Sequence, residues 1–113
     1  MDPEPLQSEG RNSGRPAASR VAAAAYRELG YLSVQRGIPD RAAGWLEQAA
    51  RAADGFDDER SRILAIQGMA ASDTAHYSEA LAALAESIRL ATAAGTLRQL
   101  AFSTALALSL IHI

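Results

Sequence analysis

From Ala17 onward the chain alternates between stretches in which small and apolar residues recur at steps of three and four and short polar stretches carrying glycine or proline. That spacing places the apolar residues on one face of an α-helix. The first stretch predicts a helix from Ala17 to about Arg36, with Tyr26, Leu29 and Ser33 on one stripe. Gly37 supplies the left-handed conformation that ends a helix, and Pro39 suits the first position of the next, where an amide donor has no partner anyway. The second helix, about Pro39 to Ala53, sets Ala42, Leu46, Ala49 and Ala53 on one face before Asp54, Gly55, Phe56 and Asp57 interrupt it. These two predicted helices make one antiparallel hairpin.

The pattern then recurs. Asp57 is expected to cap a third helix from about Asp58 to Ser72, and a fourth from about His76 to Ala94 is stopped by Gly95. A fifth helix is predicted from Leu97 to the C-terminal end. Shifting the first hairpin by 38 residues brings Tyr26 onto Leu64, Gly30 onto Gly68, Ala42 onto Ala80, Leu46 onto Leu84 and Ala53 onto Ala91. Small residues fall on small ones and large on large. Gly30 and Ala42 let two antiparallel helices approach closely, while Tyr26, Leu29 and Leu46 are expected to fill the space between them. The predicted fold class is all-α: a stack of helical hairpins, a fragment of an α-solenoid with about five helices.

Residues 1–16 read differently. Pro, Gly, Ser, Asn and charged residues dominate, and Leu6 is the sole sizeable apolar side chain after Met1, too little to offset the entropy of ordering the backbone. A disordered tail is expected there, followed by helical repeats over 17–107.

This arrangement resembles the tetratricopeptide repeat. The large residue, Leu-Gly pair, turn Gly, Ala, aromatic or Leu, and Ala of that repeat appear as Tyr26, Leu29-Gly30, Gly37, Ala42, Leu46 and Ala49. The second hairpin keeps Leu64, Gly68, Tyr77, Ala80 and Leu84, with Gln67 in place of the Leu, Ala75 in place of the turn Gly and Ser87 in place of the Ala. The resemblance covers roughly residues 20–107. The period is about four residues longer than the family's usual ~34. That length, with the stretch YSEALAALAESIRLATAAGT, resembles the repeat arm of large bacterial LuxR-type ATP-dependent transcriptional regulators. In such proteins the repeats are a sensor or partner-docking arm, and the ATPase and DNA-binding modules lie elsewhere.

What the resemblance implies for binding lies on the helix faces that line the concave surface in this family. These are Arg27, Tyr31 and Gln35 on the first helix and Arg62, Met69 and Asp73 on the third. Two arginines on one such face would grip a peptide carboxylate or acidic side chains through paired hydrogen bonds. An ordinary solvated face is the competing reading. Leu108 to Ile113, LSLIHI, resembles the translation of a transposon-type sequencing adapter, so 108–113 is expected to be a non-native extension. The alternative is the ordinary apolar end of a fifth helix.

Composition narrows the chemistry. The basic residues, 11 in all, are all arginine, and with 13 acidic ones the formal net charge is −2. No strong positive field is left for a nucleic-acid backbone or an anionic membrane surface, so direct nucleic-acid contact is not expected. No apolar run reaches the roughly 18 residues needed to span a bilayer, and a cytoplasmic location without membrane attachment is expected. Cysteine is absent, which removes disulfides, thiolate metal sites and cysteine nucleophiles.

The lack of lysine removes a Walker-type phosphate loop, a Schiff base and a lysine base. His76 at a helix start and His112 in the suspected extension build neither a metal cluster nor a Ser-His-Asp arrangement. Asp54, Asp57, Asp58 and Glu59 lack the ligand alternation of a calcium loop, so loop solvation and favourable charge at a helix N-terminus are the better reading. Trp45 would anchor a partner if exposed, and packing against the outer side of the array is the expectation. Catalysis, cofactors and metals are therefore not expected.

The function that follows is protein or peptide binding by a segment of a larger cytoplasmic regulatory or signalling protein. The alternatives are an accessory arm of a multidomain enzyme and a small stand-alone adaptor. An adaptor predicts a polar capping helix, whereas Leu97 to Ile113 offers Leu100, Phe102, Leu106 and Leu108. That apolar face is expected to meet further repeats of the same parent chain or to drive self-association.

Overall fold

A computed structural model of the chain describes the backbone over residues 4–112 and side chains over 17–111. Among the described residues the structure is all-α, with five helices and no strand. They are α1 (Glu4–Gln35), α2 (Pro39–Ala52), α3 (Asp57–Asp73), α4 (Tyr77–Ala94) and α5 (Leu97–His112). α1 pairs with α2 and α3 with α4. Helix α3 also touches both helices of the first hairpin, and α5 lies against α4 and α3. The result is a stack of helical hairpins. α1 begins at Glu4, N-terminal to the predicted start at Ala17, while residues 1–3 of the predicted tail lie outside the described residues.

The 38-residue register extends to the backbone. Gly37 has φ 71° and Ala75, its counterpart, has φ 63°. In the first hairpin the Ile38 N–H donates to the Ser33 carbonyl at 3.0 Å and the Gly37 N–H to Val34 at 3.0 Å. In the second, the His76 N–H donates to Ala71 at 2.8 Å and the Ala75 N–H to Ser72 at 3.0 Å. Such a pair of bonds around a left-handed residue satisfies carbonyls that a helix end leaves open. The same device, with Gly95 at φ 71°, separates α4 from α5.

Close approach within each hairpin occurs where the sequence places glycine. Gly30 abuts Leu46 and Gly68 abuts Leu84, and both leucines are fully buried. A core of Ala23, Leu46, Ala49, Ala53, Ile63 and Ile66 joins the first hairpin to α3, with Tyr26, Tyr31 and Val34 packed against it.

Two expectations are corrected. Leu29 does not fill the space inside the first hairpin and is 39% exposed. Leu46, drawn in over Gly30, already occupies that space, so Leu29, one position round the helix, turns to the flank. The cap of α3 is Phe56, without a side-chain hydrogen bond, and Asp57 opens the first turn instead. Phe56 is held by its ring, over which the Arg20 guanidinium sits 4.5 Å from the centroid. No described helix is long and apolar enough to cross a membrane.

Candidate functional site

The first helices of successive hairpins line up so that α1, α3 and α5 border one groove, of 340 Å³. Its walls carry Arg27, Tyr31, Arg62, Ile66, Arg98 and Phe102. Three of the six residues expected on the concave face, Arg27, Tyr31 and Arg62, therefore meet here. The other three do not. Gln35 ends α1 as an exposed residue. Met69 and Asp73 border a separate cleft of 180 Å³ against Leu106, Ser109 and Leu110 of α5.

Arg27 is not free to grip a ligand in the way the spacing implies, and Arg62 is engaged only in part. Glu59, 2% exposed, receives a two-pronged contact from Arg27, Nε to Oε2 at 2.8 Å and Nη2 to Oε1 at 3.2 Å. Arg62 Nη1 reaches the same carboxylate at 3.3 Å, and Arg27 Nη1 also holds Glu28 at 2.6 Å. A planar guanidinium matched to a buried carboxylate is a directional contact, and removing one partner leaves a charge without compensation. Glu59 thus fastens α3 to α1, where the acidic run predicted loop solvation. Asp58 acts similarly, 2.7 Å from Arg20 across the same interface. The Arg20 guanidinium holds the Asp58 carboxyl below its ordinary range, chiefly through that hydrogen bond.

What remains available in the groove comes from α5. Arg98 is exposed and has no carboxylate partner among the described residues, and Phe102 is 44% exposed beside it. Apolar periodicity carries no signal for Arg98, a charged residue in the first turn of α5. Phe102 carried a usable signal, since a second shift of 38 aligns it with Leu64 and Tyr26.

Beneath the groove lies a chain of hydroxyls. Gln99, on the groove wall, donates from Nε2 to Ser103 Oγ at 3.0 Å. Ser103 and Ser87 Oγ are 2.7 Å apart, Ser87 Oγ donates to the Ser61 carbonyl at 2.6 Å, and Ser61 Oγ donates to the Ser87 carbonyl at 2.7 Å. All three serines are fully buried. With Ser103 donating to Ser87, every hydroxyl proton has an acceptor, so the chain joins α3, α4 and α5 with no side-chain polar atom left over. The departure at Ser87 from the small apolar residue the repeat pattern asks for is thereby explained.

Trp45 stacks on Tyr26 with ring centroids 5.8 Å apart and planes at 21°. His76 lies at an exposed turn with Nδ1 2.9 Å from Thr74 Oγ1. Among the described residues no three His, Asp or Glu side chains gather where a metal ion would be held. No protein-family model, curated protein or solved structure matches the chain.

Proposed function

We propose that this chain is a peptide- or protein-binding helical-repeat module of tetratricopeptide-like kind, working as the docking arm of a larger cytoplasmic regulatory or signalling protein, and that its receiving surface is the α1–α3–α5 groove. The observation that carries the reading is the pairing of an uncommitted Arg98 with the half-exposed Phe102 on one wall, facing Tyr31 and Arg62 across 340 Å³. An apolar anchor beside a guanidinium suits a short segment with a large apolar side chain next to a carboxylate. Arg27 and Glu59 hold the floor in place and are not the contact itself. The 38-residue repeat of glycine contacts and turns supports the resemblance on which the repeat-arm reading rests.

The test is to pan a random-peptide display pool on the intact chain and on the Arg98→Glu, Phe102→Ala variant. The expected result is a consensus that pairs an acidic with a large apolar residue and binds the parent chain but not the variant. Equal recovery on both proteins would overturn the assignment of the groove.

A further inference from the structure

Along the seam between α1 and α2 the first hairpin carries apolar side chains that the second hairpin lacks, with Ile38 at the border of this seam and the junction between hairpins. Leu29, Leu32, Ile38 and Trp45 border a groove of 270 Å³ between α1 and α2, with Arg36 and Arg41 at its edge. Leu29, Leu32 and Ile38 are 39%, 47% and 38% exposed.

The internal repeat separates what the hairpin needs from what it does not. Gly30, Ala42, Leu46 and the left-handed turn recur 38 residues on as Gly68, Ala80, Leu84 and Ala75. The flank does not recur: its counterparts are Gln67, Ala70, His76 and Ala83, with Thr74 and Glu79 in place of the two arginines. A second hairpin therefore folds without any of these six side chains. Ala70 and Thr74, in register with Leu32 and Arg36, share a cleft with Val34, Ile38 and Ala42 of the first hairpin, which is the junction between hairpins. That junction is made with small residues. At the same register the flank carries Leu32 and Arg36, so its surface is larger in side chain and more basic than the face with which the second hairpin meets the first.

Charge identifies the chemistry. Among the described residues, Arg20, Arg27, Arg51, Arg60, Arg62 and Arg89 all contact carboxylates, whereas Arg36 and Arg41 on this flank, like Arg98 in the other groove, do not. We propose that the Leu29–Leu32–Ile38–Trp45 groove is a second docking surface, separate from the α1–α3–α5 groove, and that it takes an acidic amphipathic segment of a partner protein. Large apolar side chains of the segment enter the groove, and carboxylates beside them meet Arg36 and Arg41. A recessed site with two cations favours such a segment over a lipid surface, which asks for a convex apolar face with many basic residues.

Trp45 is the sole tryptophan, so its emission reports on this groove directly. The probes are a synthetic amphipathic helix of leucine and glutamate, the same helix with lysine for glutamate, and vesicles containing phosphatidylserine. Titrated into the full chain, the leucine-glutamate helix is expected to change Trp45 emission saturably and the other two probes are not. The response weakens as salt rises, because the charges are exposed. Arg36→Glu, Arg41→Glu weakens binding at least about tenfold by turning attraction into repulsion, and Leu32→Glu abolishes it, with far-UV circular dichroism unchanged in both. Arg98→Glu, Phe102→Ala leaves the response intact, which keeps this surface distinct from the other groove. The proposal is overturned if the acidic helix leaves Trp45 unmoved, if the lysine helix or the vesicles match it, or if charge reversal at 36 and 41 changes nothing.

Discussion

A Cβ added to Gly30 would stand 2.6 Å from Leu46 Cδ2 and 2.7 Å from its Cγ, too close for non-bonded carbons unless Leu46 shifts, and Gly68 repeats the relation with Leu84 Cγ at 2.8 Å. The two helices of each hairpin thus meet backbone to side chain. Gly30→Ala is expected to lower stability by about 1–3 kcal/mol through overpacking, less roughly 1 kcal/mol of improved helix propensity. The check is chemical denaturation of the parent, Gly30→Ala, Leu46→Ala and the double variant. Leu46→Ala alone costs about 2–5 kcal/mol. In its background the added methyl on position 30 has room, so Gly30→Ala becomes neutral or stabilising there. Additive losses would mean that the contact does not govern the spacing.

Ala75 is the one described non-glycine residue with positive φ. A left-handed alanine is strained by about 1–2 kcal/mol, and glycine is free of that strain at the expense of a more mobile unfolded chain. Ala75→Gly is therefore expected to raise stability by roughly 0.5–1 kcal/mol. Gly37→Ala, at the matching turn, is expected to lower it by a similar amount, and thermal melts of the two variants should move in opposite directions.

The serine chain predicts a non-additive series. Ser87→Ala removes the central hydroxyl and leaves the Ser103 proton and the Ser61 carbonyl without that partner in a dry site, at about 1–3 kcal/mol. Replacing Ser61, Ser87 and Ser103 together by alanine removes the orphaned hydroxyls as well. The triple variant is expected to lose no more than the single one. A triple loss equal to three single losses would show that each hydroxyl acts alone.

Asp58 predicts an acid-side dependence. Its pKa is lowered in the folded chain, chiefly by the hydrogen bond from Arg20. Such a group contributes stability that is present above the unfolded carboxylate value and is lost as pH falls through the lower folded value. Unfolding followed from neutral pH to below about pH 4 should show the parent losing more stability on acidification than Asp58→Asn. Identical slopes for the two proteins would remove Asp58 from the interface.

The parts of this fold that a linear reading reached are those set by local rules and by the repeat. Gly37 and Gly95 end helices because their backbones go where other residues resist, and Gly30 with Leu46 stands out because a second copy lies 38 residues away. Glu59 was hidden for the opposite reason. Three adjacent acidic residues at a helix start look solvated, and only the angle at which α3 leans on α1 decides which of them faces inward. Ser61 and Ser103 were equally silent, since a serine on an apolar stripe reads as a merely small residue until its partners on two other helices are placed. The groove between α1, α3 and α5 was legible only in part. Arg27, Tyr31 and Arg62 do share a groove, but the carboxylate that occupies the two arginines and the Arg98 that replaces them come from elsewhere in the chain.

Among the described residues of α5, Ser103 alone is fully buried. Its leucines Leu100, Leu106 and Leu110 are only partly buried, so α5 gives up less apolar contact on exposure than the helices whose leucines are fully buried, and water offers its serine the same hydrogen bonds. Among the five helices α5 is therefore the one whose amide protons are expected to trade with solvent deuterium first, ahead of those in the leucine-packed hairpins.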